Sequence, residues 1–343
     1  MEVLTFEASE ASAMFKALFF SLLLFFSAQD QNGITTDRNG IPSRVLLSSS
    51  TKVLEVPAFG FYGPAQCDRD GNLFFHTTTE VYNDPSILKL KSGSWEPTIF
   101  RASDASEKIY FGEYSVSPSG EVHILGNDGA LDGEQYVFAF DSDGKMSGKT
   151  KLDVPAGLFA EDFAISDRGV TLLSGYFGPK AAPNLQGQSF VGLFQPSGKL
   201  LRRLNSDLGK VDLADVGKSI HAGSAIFADD GFLYLLHEQS VLVISESGTL
   251  VRRIMFDKPS KEAAPTKLAV SGGWIAISLT EHDKKFQVTE KLLVIDGQTQ
   301  EPFAIYTPPT GVTAGVMCFS RKDGFEFYGV QGGRVKITTA ALR

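Results

Sequence analysis

Six times along the chain a short apolar strand ends in a tight glycine turn and runs directly into another apolar strand. The stretches are AQCDRDGNLFF around Gly71, YSVSPSGEVHIL around Gly120, FAISDRGVTLL around Gly169, AIFADDGFLYLL around Gly231, KLAVSGGWIAISL around Gly273 and CFSRKDGFEFYGV around Gly324. Asp-Gly, Ser-Gly and Gly-Gly between apolar runs are hairpin signals, because glycine takes the positive φ that tight turns need. The first three turn glycines are 49 residues apart, and the later gaps are 62, 42 and 51. A second hairpin follows each of the first five, at Gly93, Gly144, Gly198, Gly248 and Gly297. Each repeat therefore reads as four antiparallel strands, A to D, which is the unit of radial repetition around an axis.

The strand B runs LFF, VHIL, FLYLL and WIAI do not alternate apolar with polar residues. A strand with one wet face alternates, whereas a strand buried on both faces reads as continuous apolar sequence. Blades packed face to face around a ring bury both faces. A sandwich also has short strands but does not repeat a paired hairpin at this interval. The expected fold is all-β: a six-bladed β-propeller of four-stranded antiparallel blades.

The sixth repeat ends at Arg343 after its strand C, GRVKITTAAL, with no strand D. An echo in the sequence supplies the missing strand. Leu54, Val56, Pro57, Ala58, Phe61 and Gly71 recur 98 residues later as Leu152, Val154, Pro155, Ala156, Phe159 and Gly169. Because Leu152–Val154 closes the second blade, Leu54–Val56 is expected to close the blade preceding the first. In a ring that is the sixth, so residues 44–56 should pair with the C-terminal strand and remove an exposed edge.

The 343 residues, 43% of them hydrophobic, suffice for one large ring. A net charge of −8 without a Lys/Arg cluster gives no phosphate-backbone footprint, so no nucleic-acid partner is expected. The run Ala17–Ala28 is too short to span a bilayer and fits the apolar core of a secretory signal. Glu2, Glu7 and Glu10 suit such a signal poorly, and Met14 is an alternative start. The expected organisation is a signal peptide over 1–28, a linker over 29–43 and one propeller domain over 44–343. The protein would then be secreted or periplasmic, monomeric, and without a stable membrane span after cleavage. Cys67 and Cys318 are the two cysteines. They read as small buried hydrophobes, with pairing as the other possibility.

VFAFDSDGK, residues 137–145, is similar to strand C and its turn in an NHL-type repeat. Over residues 44–343 the pattern resembles the six-bladed propellers of the NHL and TolB-like superfamily. The Val-Asp pair common in strand B of NHL repeats is absent, so no family within the superfamily is singled out.

Catalytic signatures are near misses. HEQSV (237–241) has Val241 where a zinc-binding helix needs a second His, GQSFV (187–191) lacks the second Gly of a nucleophile elbow, and GLFQPSGKL (192–200) has the wrong spacing for a phosphate loop. NDGALDGE (127–134) clusters Asp128, Asp132 and Glu134 but does not follow calcium-loop spacing, and reads as an acidic surface loop.

Superposing the repeats gives the candidate binding residues. Ten positions before the turn glycine stand Phe61, Tyr110, Phe159 and His221; seven or eight before it stand Glu113, Glu161 and Asp162. At the start of strand A these side chains would aim at the channel mouth, where aromatic faces and carboxylates can hold a sugar, a cationic group or a peptide. The same residues also fit wedges between blades and solvated acids. The long B-to-C loops 76–86 and 174–189 belong to the same end.

The expected function is an exported binding module that takes a protein, peptide or glycan through its loop face, with no cofactor. The alternatives are a metal-dependent hydrolase similar to the gluconolactonases, with a divalent cation held partly by Glu113 and Glu161, and a lyase using His221 and Glu161. No asparagine stands at an equivalent strand position to complete such a metal site.

Overall fold

All six A-to-B turn glycines adopt the left-handed conformation, with φ between +76° at Gly71 and +92° at Gly324. The residue three before the glycine is Asp or Ser in several of these turns, and its side chain closes the loop. Asp68 Oδ1 accepts from the amides of Asp70 (3.0 Å) and Asn72 (2.9 Å), and Ser166 Oγ accepts from the amide of Val170 (3.1 Å). Short polar side chains compete for backbone amides in this way wherever the chain must reverse.

The structure is a computed structural model and describes residues 35–37, 39–57, 62–78, 85–101, 110–127, 133–204, 224–282, 287–314, 317–320 and 324–342. The expected signal peptide lies outside the described residues, as do Asp128 and Asp132. Six sheets form, each containing four antiparallel strands, in chain order in five of them and with the N-terminal strand as the fourth in the sixth, and they make the six blades of a propeller. The innermost strands are Tyr62–Cys67, Tyr110–Val116, Leu158–Ile165, Ala225–Phe227, Ala264–Ser271 and Met317–Ser320.

The core is divided among the blade interfaces. Six apolar clusters are present among the described residues, and each joins two neighbouring blades. The non-alternating strand B sequences follow from this. In blade one, Leu73 and Phe75 pack toward blade six while Phe74 packs toward blade two. In blade three, Leu172 faces blade four and Leu173 faces blade two.

The N-terminal segment closes the ring. Ser48–Pro57 pairs antiparallel with Arg334–Ala340 as the outer strand of blade six, and Arg334 Nη1 lies 2.7 Å from Glu55 Oε1 at the rim. The stretch before it, expected as a linker up to residue 43 and as part of the closing strand from residue 44, instead adds strand to blade five. Pro42–Val45 adds parallel to Pro302–Thr307 on the outer edge of blade five, and Thr35–Thr36 pairs back onto it. Arg44 lies over the Phe303 ring at 5.4 Å. Ile41 is buried between blades four and five and Leu46 between blades five and six, so two apolar side chains anchor the extra strand.

Cys67 and Cys318, expected as two buried hydrophobes, form a disulfide with Cα atoms 5.7 Å apart. Ring closure is the reason: it brings the innermost strands of the first and last blades side by side, a proximity that 251 residues of separation conceal.

Candidate functional site

The innermost strands carry polar residues of two kinds, those that stitch one blade to the next and those that face the channel. Gln66 belongs to the first kind. Its Nε2 donates to Tyr114 O (3.0 Å) and its Oε1 accepts from the Val116 amide (2.8 Å), tying blade one to blade two. One repeat further on, Ser115 Oγ accepts from the Ile165 amide (3.2 Å) and ties blade two to blade three.

The second kind is placed by β-bulges. The A–B register shifts between Phe111 and Tyr114 in blade two, between Ala160 and Asp162 in blade three, and between Pro265 and Lys267 in blade five. A bulge inserts one residue, bends the strand and re-aims side chains. Glu113, Asp162 and Lys267 stand at these irregularities. Asp162 is buried and lines the channel cavity with Lys267. The cavity measures about 80 Å³, is lined from all six innermost strands, and extends from Asp162 and Lys267 toward the A-to-B turns at Arg69, Pro118 and Asp229. It therefore holds one small charged or polar group rather than a whole ligand.

The electrostatics of the cluster agree with its burial. Burial pushes the Glu113 carboxyl from 4.5 up to about 7, opposed by the Lys267 ammonium. Burial pulls Lys267 below its ordinary value, opposed in turn by Glu290, Glu113 and Asp162. Desolvation disfavours both charged forms, and the pair of opposite charges partly restores them. Glu290 is held at the loop end, where its Oε2 accepts from the Ala314 amide (2.7 Å).

The remaining expected residues divide. Phe159 stacks on Tyr176, its partner across the A–B ladder, with centroids 5.4 Å apart and planes at 17°. With Tyr176 43% exposed, the pair offers an aromatic surface at the loop end. The Phe159 ring passes so close over Gly178 that any side chain there would collide with it. The loop 178–188 folds back onto this corner through Gly178 N donating to Gly157 O (2.9 Å). Glu161 points into solvent and takes no part in the cluster. Tyr110 opens the innermost strand of blade two; its side chain, together with Phe61 and His221, lies outside the described residues. Glu134, from the acidic loop, pairs with Lys151 and accepts from Tyr136 Oη (2.6 Å), as a surface ion pair does. His237 and Ser240 face each other across a hairpin, so HEQSV is a strand connection.

Lys267 was not among the sequence candidates. Counting back from the turn glycine slips by one residue in blade five, where Ser271 pairs directly with Trp274 around a two-residue turn. Corrected for the shorter turn, Lys267 takes the place that Asp162 has in blade three, each the first paired residue after the bulge. A second hollow of about 590 Å³ lies at the loop end of blade six, between Gly311–Thr313 and the strands bearing Gln331 and Lys336.

Among the described residues no three His, Cys, Asp or Glu side chains gather as a metal donor set. The carboxylates that do converge share the Lys267 ammonium instead, so these residues do not fit the metal site of a gluconolactonase-like enzyme.

No family model matches the chain, and no curated protein matches it in sequence. Among solved structures the chain is similar to a member of the DUF4221 family from Bacteroides vulgatus, with a TM-score of 0.53, 8% identity, and 87% of this chain and 98% of that one covered. It also matches a protein of unknown function from Bacteroides caccae at TM-score 0.42 and 13% identity, over 72% of this chain and 87% of that one. The β-propeller domain of the trilobed protease from Pyrococcus furiosus matches at TM-score 0.42 and 12% identity, over 80% of each chain. At such identities the likeness is one of fold.

Proposed function

We propose that this propeller is an exported binding module of the NHL and TolB-like kind, taking a peptide, protein or glycan on its loop face and one charged group of that ligand in the channel. The observation that carries the reading is the gathering of Glu113, Asp162 and Lys267 by bulges in three different blades. The cluster holds both signs of charge, which suits a ligand bearing an ammonium, a carboxylate or both. Phe159 and Tyr176 supply a stacking face beside it, and the hollow at blade six supplies further contact area.

Export is supported by the disulfide, since such bonds persist in oxidising compartments. No described helix is long and apolar enough to cross a membrane. The signal over 1–28 and the use of the channel without a cofactor are parts of the same proposal.

The test is a thermal-shift screen of the protein against short peptides, oligosaccharides and simple amines, repeated with Glu113→Gln, Asp162→Asn and Lys267→Met. A ligand that raises the wild-type melting temperature and loses that effect in these variants supports the reading. A ligand that stabilises wild type and all three variants equally binds elsewhere and overturns the channel as its site. Turnover of any ligand, abolished in Glu113→Gln, would replace the binding module with an enzyme that uses a carboxyl poised near neutrality as its acid or base.

A further inference from the structure

The chain runs without a break from the outer strand of blade six, Ser48–Pro57, into blade one and round the ring to strand C of blade six, Arg334–Ala340. Along the chain, one junction therefore lacks a covalent link: the pairing of that last strand with the first. It lies at the outer rim. At the channel wall the adjoining interface between blades six and one is crossed by Cys67, at the end of the innermost strand of blade one, and Cys318, in the innermost strand of blade six. Between rim and channel sits the apolar contact of Leu54, Phe75, Tyr328 and Ile337, with Phe75 and Tyr328 stacked at 4.8 Å.

We infer that the Cys67–Cys318 disulfide is a redox-sensitive clasp: oxidised, it makes the ring covalently continuous, and reduced, it lets the seam between blades six and one open ahead of the other interfaces. Three observations carry this. The bond joins the innermost strands of blades one and six, whose chain connection runs through an outer strand held to the rest of blade six by strand pairing. It closes a loop of 251 residues, and in the chain-entropy account long loops gain most from closure. Both cysteines line the channel cavity, which reaches Arg69 and Asp229 at the turn end, so the thiol end of a small dithiol has a route to the sulfurs. The chemistry balances. A thiolate of the dithiol attacks one sulfur and its second thiol resolves the mixed disulfide. Two electrons and two protons pass to the protein, leaving two protein thiols and a cyclic disulfide. The inference concerns the ring and stands whether or not the channel takes a ligand.

Hydrogen exchange read by mass spectrometry on the full chain, with and without dithiothreitol, tests it. Reduction is expected to speed exchange in 48–57, 334–340 and the innermost strand Tyr62–Cys67 while Leu158–Ile165 in blade three stays protected, and to lower the melting temperature by roughly 5–10 °C. The Cys67→Ala/Cys318→Ala variant should match the reduced protein and ignore the reductant. Two free thiols in the protein recovered from an oxidising compartment, or exchange at the seam unchanged by reduction, would overturn the clasp. So would a uniform rise in exchange across all six blades, because the seam would then have no separate stability.

Discussion

Arg69 and Asp167 occupy the same position of the repeat, two residues before the turn glycines of blades one and three, and they form an ion pair of 2.8 Å across blade two. The intervening blade is not bypassed. Asp167 Oδ1 accepts from the Ser119 amide (2.6 Å), and Arg69 N donates to Pro118 O (3.0 Å). Three A-to-B turns thus lock together around the axis, one carboxylate serving two of its neighbours.

The ion pair and the amide bond should separate by mutation. The side chains of Arg69 and Asp167 are 47% and 36% exposed, so the charge pair is worth less than about 1 kcal/mol. Asp167→Ala also removes the acceptor for Ser119 and should cost about 1–2 kcal/mol. Asp167→Asn keeps an acceptor and should lie between that variant and wild type. Urea denaturation of the single variants and the Arg69→Ala/Asp167→Ala double variant measures this. A coupling energy above about 2 kcal/mol would show that the pair is not screened as its exposure demands.

Gly120 and Gly93 make a matched comparison. Both have positive φ, +91° and +79°. A Cβ on Gly93 meets open space, whereas one on Gly120 would sit 2.5 Å from Asp68 Oδ2, the carboxylate that organises the neighbouring turn. Gly93→Ala should therefore cost only the left-handed backbone strain, about 1 kcal/mol. Gly120→Ala adds displacement of Asp68, whose Oδ2 also accepts from Asn72 Nδ2 at 2.6 Å, and should cost at least about 1 kcal/mol more. Equal melting temperatures for the two variants would dissociate Asp68 from the blade-two turn.

The difference between these two glycines also marks what sequence makes legible. That Gly71 through Gly324 turn hairpins is written locally, because each demands a φ that other residues resist, and the blade register follows from their spacing. The closing role of Ser48–Pro57 was readable because Leu54 echoes Leu152 in register. Pro42–Val45 was not readable: four residues without periodicity become a strand only because Ile41 and Leu46 find slots between blades. The disulfide and Lys267 were hidden for related reasons. One depends on ring closure, the other on a turn that is shorter in blade five, and neither leaves a mark within its own repeat.

The N-terminal strap should dominate the stability of the seam. Leu46 is 2% exposed and packs between blades five and six, so Leu46→Ala should cost about 2–4 kcal/mol. Removing residues 1–57 deletes strand D of blade six together with the blade-five extension, and should lower the melting temperature sharply. Removing only 1–34, which precede the first described strand, should leave it near the full-length value. A 58–343 fragment that melts with the full chain would refute the closing role of the N-terminal strand.

Two buried groups should tilt the stability profile in opposite directions between pH 4 and 7. Glu113 is raised from 4.5 to about 7, chiefly by burial. Its contribution is fully present below 4.5, where folded and unfolded chains both carry the proton, and is lost as pH rises through about 7. His123 is buried in strand B of blade two and lowered from 6.5 to about 4, again chiefly by burial, with the Glu121 carbonyl opposing. Its contribution is present above 6.5 and is lost as pH falls through about 4, because the unfolded chain takes the proton first. Glu113→Gln should therefore gain on wild type as pH rises from 4.5 to 7. His123→Gln should gain on wild type as pH falls across nearly the same window. Chemical denaturation of the three proteins at half-unit pH steps separates the two, since a group whose folded and unfolded pKa values coincide would leave its variant's difference curve flat. Lys267→Met gives the remaining arm: without the ammonium that opposes its burial, Glu113 should titrate still higher, and its loss of stability should still begin at 4.5 but extend to higher pH.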